Sequence, residues 1–248
     1  MTDFHVIIPA RYASQRLPGK MLLDIAGKPM IQRVYECALS TDALSVTVAA
    51  DDERIAEAVK SFNGSFCMTA QHHASGSDRI AEAVDRLGLD NNDIVVNLQG
   101  DEPQMPGGLI KQVATGLAQH ANASIATACE AIVTYDEYAD PSVVKVVRDK
   151  NNFALYFSRA SVPARREQHD GNNNQLNAYR HIGIYSYRAG YVKEFAQLEP
   201  APLEIDERLE QLRALWHGYR IYVCDAVESV GIGIDTEEDL ITIRNKYS

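Results

Sequence analysis

The chain has little of what would tie it to an oxidising compartment or to a membrane. Cys37, Cys67, Cys129 and Cys224 are scattered, with no C-x-x-C pair. Neither a zinc site nor a disulfide framework is indicated, and reduced thiols in a cytoplasm are the expectation. No run approaches the roughly 18 apolar residues of a membrane span, and the start lacks the charged lead and long apolar core of a signal peptide. A soluble, cytoplasmic protein without membrane insertion is therefore expected. Positive charge is in deficit: 24 Lys and Arg against 34 Asp and Glu leave a net charge of -10, with a pI near 5.2. That balance argues against a general nucleic-acid or membrane-surface binder, because both partners are anionic. No internal repeat is found. What remains is 248 residues of 46% hydrophobic content, enough to bury a substantial core as one large domain or a domain with an insertion.

Against the acidic background, residues 8–20 (IPARYASQRLPGK) carry Arg11, Arg16 and Lys20 with no acidic residue among them. The apolar run 4–8 reads as a buried strand whose ladder Pro9 ends, so the basic loop should leave the carboxyl edge of a sheet, where open α/β folds bind ligands. Guanidinium groups fork onto phosphate oxygens and an ammonium adds a compact charge, so the loop suits a polyphosphate. Backbone N–H groups around Ser14 and Gly19 would complete the cradle. It is not a Walker A sequence: Met21 stands where that motif has Ser or Thr, and no second glycine lies upstream in the loop. The plainer alternative is a solvated basic loop.

An acidic constellation complements it. Asp101 follows the apolar strand 94–98 in the order Gln99, Gly100, Asp101, Glu102, Pro103, so its carboxylate should emerge at the same sheet edge. Magnesium takes one or two protein carboxylates plus phosphate oxygens and water, and Asp235 is the candidate second ligand. Locally, Thr236 and Asp239 form a capping-box-like pair, and Asp235 is equally readable as a charge favouring a helix N-terminus. Glu102 reads as structural. Asp51 and Asp52 precede a clear helix and read as its caps. His72 and His73 lack any matching ligand spacing and read as loop surface.

In the first half, apolar runs 4–8, 45–50 and 94–98 alternate with helical patterns 30–38, 54–62 and 109–117, which predicts an α/β fold with a parallel sheet covered by helices. Residues 75–78 open another helix, capped by its hydroxyls, with Ile80, Ala83, Val84 and Leu87 on one face. From about residue 123 the pattern shifts to strand-like stretches 124–129, 143–148 and 154–158, read as an antiparallel or mixed second lobe. The polar tract 165–175 is either a loop at the mouth of the site or a surface excursion. A strand over 178–187, a helix over 203–216 carrying Leu209, Leu212, Leu215 and Trp216 toward the core, and a final helix from near Thr236 complete the reading. The division is a nucleotide-binding α/β core over 1–122, an inserted lobe over 123–204, and a segment over 205–248 that completes the core.

Further blocks run in order: AADDERIAEAV from Ala49, ASGSDRIAEAV from Ala74, VVNLQGDEP from Val95, VKVVRDKNNFALYFSRASVP from Val144, RHIGIYSYR from Arg180, PLEIDERLEQLRALWHG from Pro202 and GIGIDTEEDL from Gly231. With the basic loop, this set resembles the 3-deoxy-D-manno-octulosonate (Kdo) cytidylyltransferases, the CMP-Kdo synthetases of lipopolysaccharide biosynthesis, over nearly the entire chain. Two departures from the family pattern stand out: Met21 follows Lys20 where the family usually has proline, a change expected to loosen the loop, and Ser77-Asp78 conservatively replaces the commoner Thr-Asp or Thr-Glu pair.

The resemblance implies a Rossmann-like nucleotidyltransferase sheet with a smaller mixed α/β lobe for sugar binding and dimerisation. It implies a homodimer, Mg2+ as cofactor, and CTP and Kdo as substrates that yield CMP-Kdo and diphosphate. Arg11, Arg16 and Lys20 would hold the triphosphate, with Lys20, Asp101 and Asp235 catalytic and the two aspartates on the metal. Cytosine would be read around Ala10 and Arg11 and by Ser75, Gly76 and Arg79. The sugar would meet Gln99, Arg159, His181, Tyr185, Glu210 and Gln211. The alternating Tyr179, Ile182, Ile184, Tyr185 and Tyr187 fit either a partly shared dimer surface or an ordinary sheet-on-helix core. Two alternative functions remain open: activation of 8-amino-Kdo or another acidic sugar, and a nucleotide-binding regulatory protein without turnover.

Overall fold

The computed structural model describes residues 2–14, 17–73, 75–164 and 176–247; the expectations for Arg16 and for the tract 165–175 lie outside the described residues. The first half alternates as the apolar periodicity predicts. β1 (His5–Ala10) leads through a 3-10 turn (Lys20–Leu22) and a small ribbon, β2 (Asp24–Ile25) and β3 (Lys28–Pro29), into α1 (Met30–Leu39). Then follow β4 (Ser45–Ala50), α2 (Glu53–Ser61), β5 (Phe66–Met68), α3 (Gly76–Leu87), β6 (Ile94–Asn97) and α4 (Gly107–Gln119). The second half contains β7 (Ile125–Ala131), α5 (Tyr135–Ala139), β8 (Lys145–Arg148), β9 (Ala154–Ser158) and β10 (Tyr179–Arg188). It closes with α6 (Ala189–Phe195), α7 (Pro202–Glu207), α8 (Gln211–Trp216), β11 (Ile221–Asp225) and α9 (Glu237–Tyr247).

The main sheet runs β11-β7-β10-β6-β1-β4-β5, with the β8–β9 hairpin attached to β10. Its β6-β1-β4-β5 portion is parallel, whereas β10 is antiparallel to both β6 and β7. Side-chain alternation explains why both faces are covered. Val6 and Ile8 join Val34 of α1 and Val113 of α4 in one apolar cluster, while Ile7 joins Ile80 of α3 and Phe195 of α6 in another. A strand buried on both faces needs the near-continuous apolar run that β1 has, and truncating fully buried Ile7 to alanine would cost about 2–5 kcal/mol. β7 hydrogen-bonds directly between β10 and β11, so the same sheet continues beyond residue 122.

The single helix expected over 203–216 is two short ones. Arg208 takes a left-handed conformation, φ 53°, which ends α7, and α8 begins at Gln211. Glu204 draws the two pieces together: its carboxylate accepts from the Ala201 N–H and from the Arg213 guanidinium. Leu209 and Leu212 remain buried as expected, but Trp216 is 55% exposed. Residue spacing shows a continuous helical stripe but not a left-handed residue inside it. Near the middle of β10 the register with β7 shifts between Ile182 and Tyr185. The Thr127 hydroxyl sits against this bulge, 2.7 Å from the Ile184 carbonyl and 3.2 Å from that of Ile182. Bulges of this kind re-aim side chains beside functional clefts.

Candidate active site

β1 and β6 lie side by side, yet the chain passes from β1 toward β4 on one side while β10 lies on the other side of β6. This reversal is the switch point at which open α/β sheets form a ligand crevice beyond the strand ends. A pocket of about 240 Å³ opens there, lined by Pro9 at the end of β1 and Arg11 just beyond it, by Gln99, Gly100 and Asp101 after β6, and by the start of α3. Ala10 is fully buried between its two lining neighbours. The strand exits meet closely because residue 100 has no side chain: a Cβ there would stand 2.8 Å from Met21 Sδ and 3.0 Å from the Pro9 carbonyl oxygen. Met21, the departure from proline, is 7% exposed and belongs to the core at this point.

The start of α3 supplies the opposite wall. Ser75 is its N-cap, accepting from the Asp78 N–H while the Asp78 carboxylate accepts from the Ser75 N–H. Gly76 and Arg79 line the pocket beside it. Arg79 is 3% exposed, and burial pulls its pKa down while Asp51 opposes the change. Its guanidinium donates to Asp51 Oδ2, the Thr69 hydroxyl and the Ala70 carbonyl. The other Asp51 oxygen accepts from the Tyr12 N–H at 2.9 Å. Asp52 alone caps α2; Asp51, read from sequence as a second cap, instead ties the basic loop to Arg79. His73 also departs from the loop-surface reading, lining the pocket and hydrogen-bonding Glu82.

Lys20 follows Gly19, whose φ of 67° turns the loop inward. The Lys20 side chain is only 6% exposed, and Nζ lies 2.8 Å from Asp101 Oδ2 and 3.0 Å from Asp235 Oδ1. Residues 81 and 215 positions away in sequence thus converge on one ammonium. The Ile234 N–H bonds to the Asp101 carbonyl, aligning the two acidic segments. Thr236 and Asp239 form the expected capping box before α9: the Thr236 hydroxyl accepts from the Asp239 N–H, and the Asp239 carboxylate accepts from the Thr236 and Asp235 N–H groups. Glu102 completes an acidic cluster that sequence reading left as structural. Burial first, then Asp101 and Asp235, pushes its carboxyl up to about 7. Among the described residues no group of three or more His, Cys, Asp or Glu is arranged to hold a metal unaided. The two hard-oxygen donors converging here fit magnesium, which takes its other ligands from phosphates and water.

Asp101 also lines a second cavity, about 610 Å³, shared with Glu102, Arg180, His181, Gly183 and Asp235. A third, about 360 Å³, shares Arg180, His181 and Gly183 with it and is lined also by Tyr185, Glu210 and Gln211. Burial drives the His181 imidazole down to about 3, so the ring is neutral at ordinary pH. Its Nε2 lies 2.9 Å from the Thr127 hydroxyl, whose proton is committed to the β10 carbonyls. That network assigns the imidazole proton to Nε2 and leaves Nδ1 an acceptor. Burial likewise raises the Tyr185 phenol and the Glu210 carboxyl. Glu210 Oε1 and Gln211 Nε2 are buried without hydrogen-bond partners, polar atoms that need a ligand or water to satisfy them.

Of the expected sugar residues, Gln99 lines the first pocket and donates to Asn97, while His181, Tyr185, Glu210 and Gln211 meet in the third cavity. Arg159 does not line these three cavities; its side chain donates to the Glu207 and Pro141 carbonyls. Sequence reading missed Arg180 and Arg208. Arg180 stood in a quoted block and pairs with Glu130, but strand alternation gives no sign of the bulge beside it. Arg208 lines the third cavity from the unforeseen helix break.

A family model described as Cytidylyltransferase matches residues 5–221. The 3-deoxy-manno-octulosonate cytidylyltransferase of Idiomarina loihiensis is 51% identical over 247 residues, spanning 98% of this chain and 97% of that protein. The protein of the same name from Hahella chejuensis is 50% identical over 248 residues, with 98% and 97% coverage. A solved structure of CMP:2-keto-3-deoxy-manno-octonic acid synthetase complexed with CTP superposes with a TM-score of 0.90 at 40% identity, covering all of this chain and 98% of that one. The chain belongs to the cytidylyltransferase family, and within it to the 3-deoxy-manno-octulosonate cytidylyltransferases.

Proposed function

We propose that this chain is a nucleotidyltransferase that joins CMP from CTP to Kdo, releasing diphosphate and supplying CMP-Kdo for lipopolysaccharide biosynthesis. The observation that carries the reading is the convergence of Lys20, Asp101 and Asp235 where the nucleotide pocket meets the cavity containing His181, Glu210 and Gln211. The anomeric hydroxyl gives up its proton to solvent as its oxygen bonds to the α-phosphorus, the α–β bridging bond breaks, and diphosphate leaves with that electron pair. A carboxylated sugar must approach an anionic triphosphate, so repulsion is the principal obstacle and fixed positive charge the principal remedy. Arg11, lining the pocket, and Lys20, held beside it on Asp101 and Asp235, would provide it, with Arg16 assigned to the triphosphate through the family motif. Ser75, Gly76 and Arg79 form the wall against which cytosine would be read. Neutral His181 and Tyr185, with Glu210 and Gln211, would orient sugar hydroxyls without adding a cation that holds the product.

Asp101 and Asp235 would bind Mg2+, which, when bound, offsets phosphate charge and lowers the pKa of the attacking hydroxyl. No cysteine or serine nucleophile is called for. We assign residues 1–122 and 205–248 to nucleotide binding and 123–204 to the sugar-binding and dimerisation lobe, in a cytoplasmic homodimer. The exposed Val133, Tyr135 and Leu155 of that lobe, at 79, 67 and 60%, support self-association. Magnesium-dependent diphosphate release from CTP with Kdo, run beside 8-amino-Kdo, sialate and other nucleotides, tests the activity. Release with CTP and Kdo is expected; preference for another acidic sugar would rename the substrate, and silence with every pair would contradict the enzymatic reading. Sedimentation of the purified chain should show a dimer.

A further inference from the structure

The first turn of α3 faces two ways. Ser75, Gly76 and Arg79 line the nucleotide pocket, but Ser77 between them is 1% exposed and turns to a residue 133 positions away. Its hydroxyl donates to Glu210 Oε2 at 2.9 Å. The second Glu210 oxygen, Oε1, is buried without a hydrogen-bond partner, as is the neighbouring Gln211 Nε2, and both residues line the cavity with His181 and Tyr185. The Tyr187 phenol lies beside Ser77 and Asn97, and Asn97 accepts from Gln99. A polar seam therefore joins the exit of β6 to the start of α8 underneath both cavities.

A carboxylate at the first residue before a six-residue helix has little of its own chain to orient it. Glu210 itself adopts helical angles and makes no side-chain cap. Of its two oxygens only Oε2 has a donor in hydrogen-bond geometry, Ser77, with the Ser75 hydroxyl also acting on the carboxylate, so this serine turn decides which oxygen is left to accept from a ligand. We propose that Ser77 is a positioning residue for sugar recognition: by holding Glu210 Oε2 it presents Oε1 to a sugar hydroxyl, and because it stands in the turn that forms the nucleotide wall, it sets the register of sugar against nucleotide. This rests on the reading of the third cavity as the sugar site.

Replacing Ser77 by alanine removes the donor in the first turn of α3 but leaves the Ser75–Asp78 capping box that starts the helix untouched, so folding should survive. A hydrogen bond to a charged acceptor is worth enough to change binding by about tenfold or more. The Ser77→Ala enzyme should therefore show a KM for Kdo raised about tenfold, with the KM for CTP within about twofold of the parent. Ser77→Thr, which keeps the hydroxyl, should restore the Kdo KM. A defect of folding alone lowers kcat through the active fraction and leaves both KM values where they were. An unchanged Kdo KM in Ser77→Ala, equal rises in both KM values, or a threonine variant as impaired as alanine would overturn the proposal. Failure of the wider reading has a different signature, since then the unmodified protein releases no diphosphate from CTP and Kdo.

Discussion

The two halves of the cleft solve different electrostatic problems. On the nucleotide side every buried cation has an anion: Lys20 lies between Asp101 and Asp235, and Arg79 pairs with Asp51, which also holds the Tyr12 N–H. On the sugar side, burial keeps His181 neutral and discourages ionisation of Tyr185, and two buried polar atoms have no partner. The first half stores charge in internal pairs that a polyphosphate and its cation can exchange into. The second leaves hydrogen-bonding capacity open for hydroxyls. On the proposed reading, charge neutralisation and sugar recognition fall to different residues that meet along the seam at Asp101 and Ser77.

The sharpest way to break this division is to remove the charge pair. Asp101→Asn or Asp235→Asn should lower kcat/KM by about a thousandfold or more, as lost transition-state charge stabilisation does, while the fold persists because Lys20 keeps one carboxylate. Diphosphate release against magnesium concentration checks it, and full activity in both variants would remove the metal assignment. Asp51→Ala probes the scaffold of the same half. It leaves Arg79 buried and unpaired, which should cost about 3 kcal/mol or more in urea unfolding and raise the KM for CTP. A purely capping aspartate would cost about 1 kcal/mol.

The sugar half should reveal itself through pH. His181 has a folded pKa of about 3 against an ordinary 6.5, so its contribution to stability is whole above pH 6.5 and is lost as pH falls below that value. The slope should reach at most about 1.4 kcal/mol per pH unit. His181→Gln should flatten the unfolding free energy between pH 6.5 and 5 relative to the parent. An identical slope in both proteins would show that the imidazole is solvated rather than enclosed.

The same contrast explains what was legible in the sequence. β1, the acid-free loop and the QGDEP turn are each contiguous in sequence, and a strand aims its exit loop predictably; Lys20 and Asp101 followed from that logic, although Pro9 does not end the strand as expected, since β1 stays in register with β4 through Pro9 and Ala10. The cap at Ser75 was equally local. Asp51 was misread because its neighbour Asp52 satisfies the capping pattern, and only the folded loop shows which carboxylate faces Tyr12. The sugar half came from family resemblance, since a bulge in β10 and the left-handed Arg208 leave no periodic trace. The Ser77 to Glu210 contact joins positions 133 apart, beyond the reach of spacing.

The most direct test of the division of labour is CTP affinity in Glu210→Gln, measured by titration calorimetry beside the KM for Kdo. The account predicts a CTP dissociation constant within about twofold of the parent while the Kdo KM rises about tenfold or more. A loss of CTP affinity in step with the loss of Kdo recognition would contradict it.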